Sequence, residues 1–466
     1  MLTFITFNLN KIISARSSLV FSTIQNIEIS LLSLYNIFEE RVKHMKRKNY
    51  WYPLDNAGKI FPAVSKDSRS SVFRLSFYLN EIVDPKRLED AVNDVLPRFE
   101  TFAVELKNGL FWNYLSKNNR RVQVQEESPI IGKYVPAATN HGYLFTVYYY
   151  KNKITLETFH SLSDGTGAME FLKSITFRYY QLGGLELDAE GIIKGSLPFD
   201  KNETIDMFCD SYDKTKKKQL KEEPAFHFSG ERFAEHYSMI VRAKLPTQEL
   251  LDLVRKHDAT LGEYVTALVA YCIYTSQPQC RKTKKPIKIF VPVNLRRFFP
   301  SNTLRNFSLY IKATFAGREH WTFEQMLKAT KQQFKLQLTK EDLHSRINSN
   351  VGIEKNYAIK IIPLMFKNIA FQLSYYYLAE NINTYAISNL GKVELPTQMM
   401  NLINDIEFSL GSTSMAITSV HGFTNISLNT EFKDLTMIHA FLQHFTKEGL
   451  SIQIDTNYRE GFDEIL

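Results

Sequence analysis

Apolar and polar positions run in short β-rich blocks through "GYLFTVYYYKNKITLETF", residues 142–159, and the polar "KNK" splits them into two runs. That pattern predicts an antiparallel hairpin. The period then changes: in "AMEFLKSITFRYYQLGG" the residues Met169, Leu172, Ile175, Phe177 and Tyr180 recur at helical intervals, and Gly183 and Gly184 supply a stop. Between hairpin and helix lies "HSLSDGTG", too short and too rich in Ser, Asp and Gly for anything but a tight connection. His160 is therefore expected at a strand end, with Asp164 four residues on.

The same pattern organises the rest of the chain. Ahead of the hairpin, "VFRLSFYLN" predicts a strand and "DPKRLEDAVNDVLPRF" a helix. Downstream, "HYSMIVRAKLP" predicts a strand and "TQELLDLVRKH" a helix, and Thr260 with Glu263 forms a capping box ahead of a second, apolar helix. Further strands are expected at "PIKIFVPVN" and "TYAISNLG", a second hairpin at "SMAITSVHGFTNISLNTEF", and a closing helix near 434–448. Residues 206–235 are charged and weakly periodic and read as a crossover linker. The expected division is a lobe at 45–205, the linker, and a lobe at 236–466, each mixing strands and helices. At 466 residues the chain exceeds what one core usually serves.

Composition narrows the classes. The net charge of +8 is scattered over lysine-rich loops such as "KTKKKQLK", which argues against nucleic-acid binding and leaves an anionic co-substrate open. Only Cys209, Cys272 and Cys280 occur, an odd number without metal-ligand spacing, so neither a disulfide framework nor a structural metal is expected. No apolar run is long enough to predict a membrane span, and a soluble, cytoplasmic protein is expected. Residues 1–44 lack a sustained period or a small-residue cleavage site, and the pattern of an ordinary domain begins after Met45. Translation is expected to start at Met45, with residues 1–44 a non-native or disordered extension.

A histidine at a strand end beside a small loop suits general-base chemistry, because the sheet holds the side chain while the loop leaves room for a substrate. The spacing alone admits a plainer reading, in which the histidine is structural and the aspartate caps a helix. His141 and His421, each followed by glycine near a predicted strand, are read as structural. "QLGGLEL" lacks the serine that a phosphopantetheine attachment site needs.

Taken together and in order, "FHSLSDGTG", "VPVNLRRFFP", "RNFSLY" and "SNLGKVELP" resemble the chloramphenicol-acetyltransferase-like superfamily, which includes condensation domains and the alcohol acetyltransferases. The resemblance is greatest to stand-alone bacterial alcohol acetyltransferases and covers the chain from Met45 on. It implies an α/β fold of two similar mixed-sheet lobes with a tunnel between them. It also implies that His160 is the general base, that Asp164 is structural and pairs with Arg296, and that Gly165 keeps the loop narrow. Ser388 or Asn389 would position substrate or donate to an oxyanion.

The expected activity is transfer of an acetyl or longer acyl group from acyl-CoA, a co-substrate and not a bound cofactor, to a small alcohol by a monomeric enzyme. Two alternatives remain at this point: an amide-forming condensation enzyme served by an acyl carrier protein, and a non-catalytic binding protein that retains the fold.

Overall fold

A computed structural model describes residue 33 and residues 51–65, 71–127, 140–214, 222–233, 237–317, 319–375 and 381–457. Apart from Ser33, the expectations for residues 1–44 and for a start at Met45 fall outside the described residues. Helices longer than one turn and strands are numbered along the chain. The first half holds β1 (Trp51–Pro53), β2 (Val72–Leu79), α1 (Pro85–Val95), β3 (Val104–Asn108), β4 (Asn113–Lys117), β5 (Gln125–Glu126), β6 (Phe145–Tyr150), β7 (Lys153–Phe159) and α2 (Gly165–Leu182). The second half begins with β8 (Met239–Pro246), α3 (Thr247–Lys256), α4 (Leu261–Ser276), β9 (Ile287–Asn294), β10 (Ser308–Phe315), α5 (Phe323–Gln337), α6 (Lys340–Glu354) and α7 (Leu364–Tyr375). It closes with β11 (Tyr385–Lys392), β12 (Ile403–Leu410), β13 (Ser414–Val420), β14 (Phe423–Thr430), α8 (Thr436–Lys447) and β15 (Gln453–Thr456).

Local chemistry accounts for the elements nearest the site. β6 and β7 pair through to Tyr150 opposite Lys153, so Lys151 and Asn152 alone make the turn, and Lys151 takes the left-handed φ of 50° that such a turn favours. Asp164 caps the N-terminus of α2 by accepting from the Gly167 N–H. Past its C-terminus, Gly184 sits at φ 88°, where a side chain would be strained. The Thr260–Glu263 capping box opens α4 as the sequence leads one to expect.

Among the described residues, two mixed sheets form the body of the molecule. One has five strands in the order β12-β2-β7-β6-β5, the other seven in the order β10-β9-β11-β13-β14-β8-β15, and β1-β4-β3 make a small third sheet. Helices α1 and α2 cover the first sheet, while α4, α5 and α8 cover the second.

The first sheet is not made from the first half alone. β12 lies antiparallel to β2, with Ile406 opposite Phe77 and Phe408 opposite Leu75, and these side chains join the core beneath α1 and α2. A division at residues 206–235 does not anticipate this exchange, because sheet membership is decided by packing partners rather than by chain order. The described parts of 206–235 are also packed: Phe208 is buried against Phe307, Phe226 enters the second core, and Glu222 pairs with Lys288 and Lys312. Among the described residues, no helix is long and apolar enough to cross a membrane.

Candidate active site

His160 is the first residue beyond β7. Its backbone N–H donates to the Ser71 carbonyl at 2.9 Å, so the chain is still held by the sheet edge as it turns. The imidazole is half-buried. Phe61, in the one-turn helix Phe61–Val64, stacks on it with ring centres 4.9 Å apart and planes 15° apart, and Phe73 of β2 packs at 4.9 Å. Nδ1 lies 3.3 Å from the side-chain oxygen of Asn306. Burial lowers the imidazole pKa below its ordinary value, opposed by the Asn306 hydrogen bond and by the charge of Asp164. The ring is thus neutral, and able to accept a proton, at neutral pH.

Asp164 faces the other way. Its two oxygens accept from Arg296 Nη1 at 2.7 Å and Nη2 at 3.3 Å, from the Phe307 N–H at 2.9 Å and from the Gly167 N–H at 3.1 Å. No acceptor direction is left for a substrate. The remaining Arg296 donors go to the carbonyls of Thr303 and Arg305 and to the side chain of Asn294. This closed arrangement offsets the cost of burying both charges and ties the loop after β7 to the segment joining β9 and β10. Arg297, next in sequence, is exposed.

The two glycines that follow differ in need. A Cβ on Gly165 would meet the tip of the Leu390 side chain at 2.8 Å, which can move. On Gly167 it would lie 2.1 Å from the Leu304 carbonyl oxygen and 2.3 Å from Ser163 Oγ, which leaves no room for any side chain.

Leu390 brings the end of β11 to this loop. β11 bulges between Asn389 and Gly391, and Asn389 accepts from the Gly391 N–H at 2.8 Å while remaining exposed. Ser388 is half-buried and pairs in register with Ala416, whose side chain packs in the first core, so Ser388 faces the seam between the sheets. Asn389 is in register with Ile417 of the second core.

Two residues at the site carry no signal that spacing could reveal. Asn306 lies within the quoted "RNFSLY", and Asp55 within "WYPLDNAGKIFP", where Asp-Asn-Ala-Gly reads as ordinary turn chemistry. Both are buried. His141 and His421 sit apart, at left-handed turns with φ 56° and 53°, and their ring nitrogens meet the carbonyls of Arg121 and Ile403.

Comparison with known sequences adds the decisive observation. Residues 190–443 match the sequence profile of a family described as alcohol acetyltransferase. The chain belongs to the alcohol acetyltransferase family. Its enzymes are acyltransferases, and the matched span holds the Arg296, Asn306 and β11 side of the site, while His160 lies upstream of it. No curated protein gives a significant match.

Among solved structures, the chain is similar to the TRI101 protein of F. graminearum complexed with coenzyme A and T-2 mycotoxin, with 11% identity, 87% of this chain and 99% of that chain covered, and a TM-score of 0.55. It is also similar to polyketide synthase associated protein 5 from Mycobacterium tuberculosis, at 14% identity, 84% and 96% coverage and a TM-score of 0.53. The starter condensation domain of rhizomide synthetase, bound to C8-CoA and Leu-SNAC, aligns at 10% identity, 86% and 94% coverage and the same TM-score. These likenesses bear out the expected α/β fold of the condensation-domain class.

Proposed function

We propose that this alcohol acetyltransferase family member moves an acetyl or longer acyl group from acyl-CoA to an alcohol, with His160 as general base. The observation that carries the reading is the setting of His160: half-exposed, clamped between Phe61 and Phe73, its pKa lowered by burial, and beside an Asp164 whose oxygens are all engaged elsewhere. Of the two acids and bases in the loop, only the histidine is free to meet a substrate.

In this mechanism the imidazole takes the hydroxyl proton as the alcohol oxygen attacks the thioester carbonyl. The tetrahedral oxyanion then collapses, the carbon–sulfur bond breaks, and the departing thiolate receives the proton from the imidazolium. Ser388 is the better placed of the two expected oxyanion donors, since it faces the seam while Asn389 braces the bulge. An acyl-CoA donor is supported by the coenzyme A and C8-CoA complexes of the structural neighbours. The +8 net charge favours approach of so anionic a donor.

The test is thiol release from a panel of acyl-CoA donors with mixed alcohols and amines, comparing the native chain with a folded His160→Ala variant. Alcohol-dependent release that falls about 10²-fold or more in the variant supports the reading. Release only from carrier-bound thioesters would favour the condensation alternative. Release that survives the substitution would remove His160 from the mechanism.

A further inference from the structure

Asn306 contacts His160 directly, and Asp55 contacts Asn306. Asp55 is fully buried, and its Oδ1 accepts from the Gly58 N–H at 2.6 Å. Its Oδ2 accepts from both the backbone N–H and the side-chain amide of Asn306, at 3.3 and 3.0 Å. The same Asn306 amide nitrogen donates to the His160 carbonyl at 2.8 Å. Two acceptors therefore fix the amide nitrogen on one side, and the amide oxygen is turned toward His160 Nδ1. An oxygen can only accept, so Nδ1 must carry the ring hydrogen.

Resting on the assignment of His160 as base, we infer that Asp55 and Asn306 are positioning residues that lock His160 in its Nδ1–H tautomer and make Nε2 the atom that takes the alcohol's proton. The lock is built across the molecule. Asp55 comes from the segment after β1, Asn306 from the approach to β10, and His160 from the end of β7, so the tautomer is set only when both halves are assembled. Flipping the Asn306 amide would place its NH₂ against Nδ1 and its oxygen against a carboxylate and a carbonyl, leaving like acceptors in contact in a buried place. The surroundings keep Asp55 able to ionise. The Arg305 guanidinium lies near it, with the Asn306 and Gly58 donors, against the opposing charge of Asp206; burial is the larger influence and pushes the carboxyl up to about 6. A carboxylate at neutral pH is the acceptor the lock requires.

The readout that separates positioning from mere support is the protonation of the ring nitrogens. In the full chain labelled with 15N-histidine, the His160 signals are identified by their loss in His160→Ala. They are expected to show Nδ1 protonated and Nε2 bare near pH 7.5. In Asn306→Ala the Nε2–H form should appear, and kcat should fall roughly 10–100-fold with little change in KM, as for a base held slightly out of place. Asp55→Asn keeps the shape but lets the paired amides turn over, so it should move the tautomer in the same direction by less and serves if Asn306→Ala does not fold. A native His160 carrying its hydrogen on Nε2, or an unchanged tautomer in both variants, would overturn the inference. Because the spectrum needs no substrate, absence of acyl transfer by the native protein would instead count against the proposed reaction and leave the tautomer result standing.

Discussion

At the scale of single residues, the strongest commitment in the molecule is the pair Asp164–Arg296. Six hydrogen bonds beyond the pair itself, to five backbone and side-chain groups, converge on it, and neither partner reaches solvent freely. Arg296→Met should therefore leave a buried carboxylate with only two backbone donors and destabilise the fold by about 3–5 kcal/mol. Urea denaturation of the variant measures this, and a loss under about 1 kcal/mol would show that the loop relaxes to solvate Asp164. The pair was legible in the sequence through the resemblance of "SDGTG" and "VNLRR" to a known family, and the structure joins the same two residues. The glycine requirement was legible only in part. Gly165 drew attention by following the aspartate, whereas the tighter fit is at Gly167, because it depends on a carbonyl 137 positions downstream at Leu304. Asp55 and Asn306 were not legible as site residues: a buried asparagine looks like any other until its partners are known.

Elements tell a similar story of local success and tertiary surprise. The hairpin at β6–β7, helix α2 and the capping box of α4 follow from period and turn chemistry alone, since each is decided by neighbours in sequence. Helix α7 was not among the elements read from the sequence, and its burial shows the reason. Its buried positions include Leu364 and Lys367, while Met365, Phe366, Ile369 and Leu373 face outward, so apolar character does not mark the inner face. Lys367 is only 2% exposed, donates to the carbonyls of Phe111 and Lys360, and lies 3.8 Å over the Trp112 ring, pinning α7 to the β3–β4 turn. Burial, aided by the neighbouring Lys59 and opposed by Glu354, lowers its pKa to about 7.

The consequence for stability has a definite sign. Below pH 7 the amine is charged in both folded and unfolded chains, and the cost of burying it is fully present. As pH rises from 7 toward the ordinary lysine range, the unfolded chain holds the proton and the folded one does not, so stability increases. The difference in unfolding free energy between the native chain and Lys367→Met should therefore grow in favour of the native chain by roughly 2 kcal/mol between pH 7 and 9. Parallel denaturation series at the two pH values check this; a difference independent of pH would mean that the amine stays charged in its niche.

For the whole molecule, the exchange of β12 matters most. Ile403, Ile406 and Phe408 are buried in the first core, which also takes Leu304, Val393 and Met399 from the second half. At about 1.5–3 kcal/mol for each large side chain, the three from β12 alone contribute an amount comparable with the 5–15 kcal/mol net stability usual for a domain. The first half therefore lacks a complete core of its own, and it also lacks Arg296 to neutralise Asp164 and Asn306 to hold His160. A fragment of residues 45–235 should show no cooperative thermal transition by circular dichroism, and should gain one only when mixed with the complementary chain. Chain order suggested two lobes joined by a linker, whereas the register of β12 on β2 makes folding of the first sheet conditional on the second half. A cooperative transition in the isolated fragment would mean that β2 tolerates an open edge and that the coupling between halves is weaker than the shared core implies. If the fragment stays unfolded, the proposed base and the groups proposed to orient it come together in a single step, and no partly assembled chain presents His160 in its native setting.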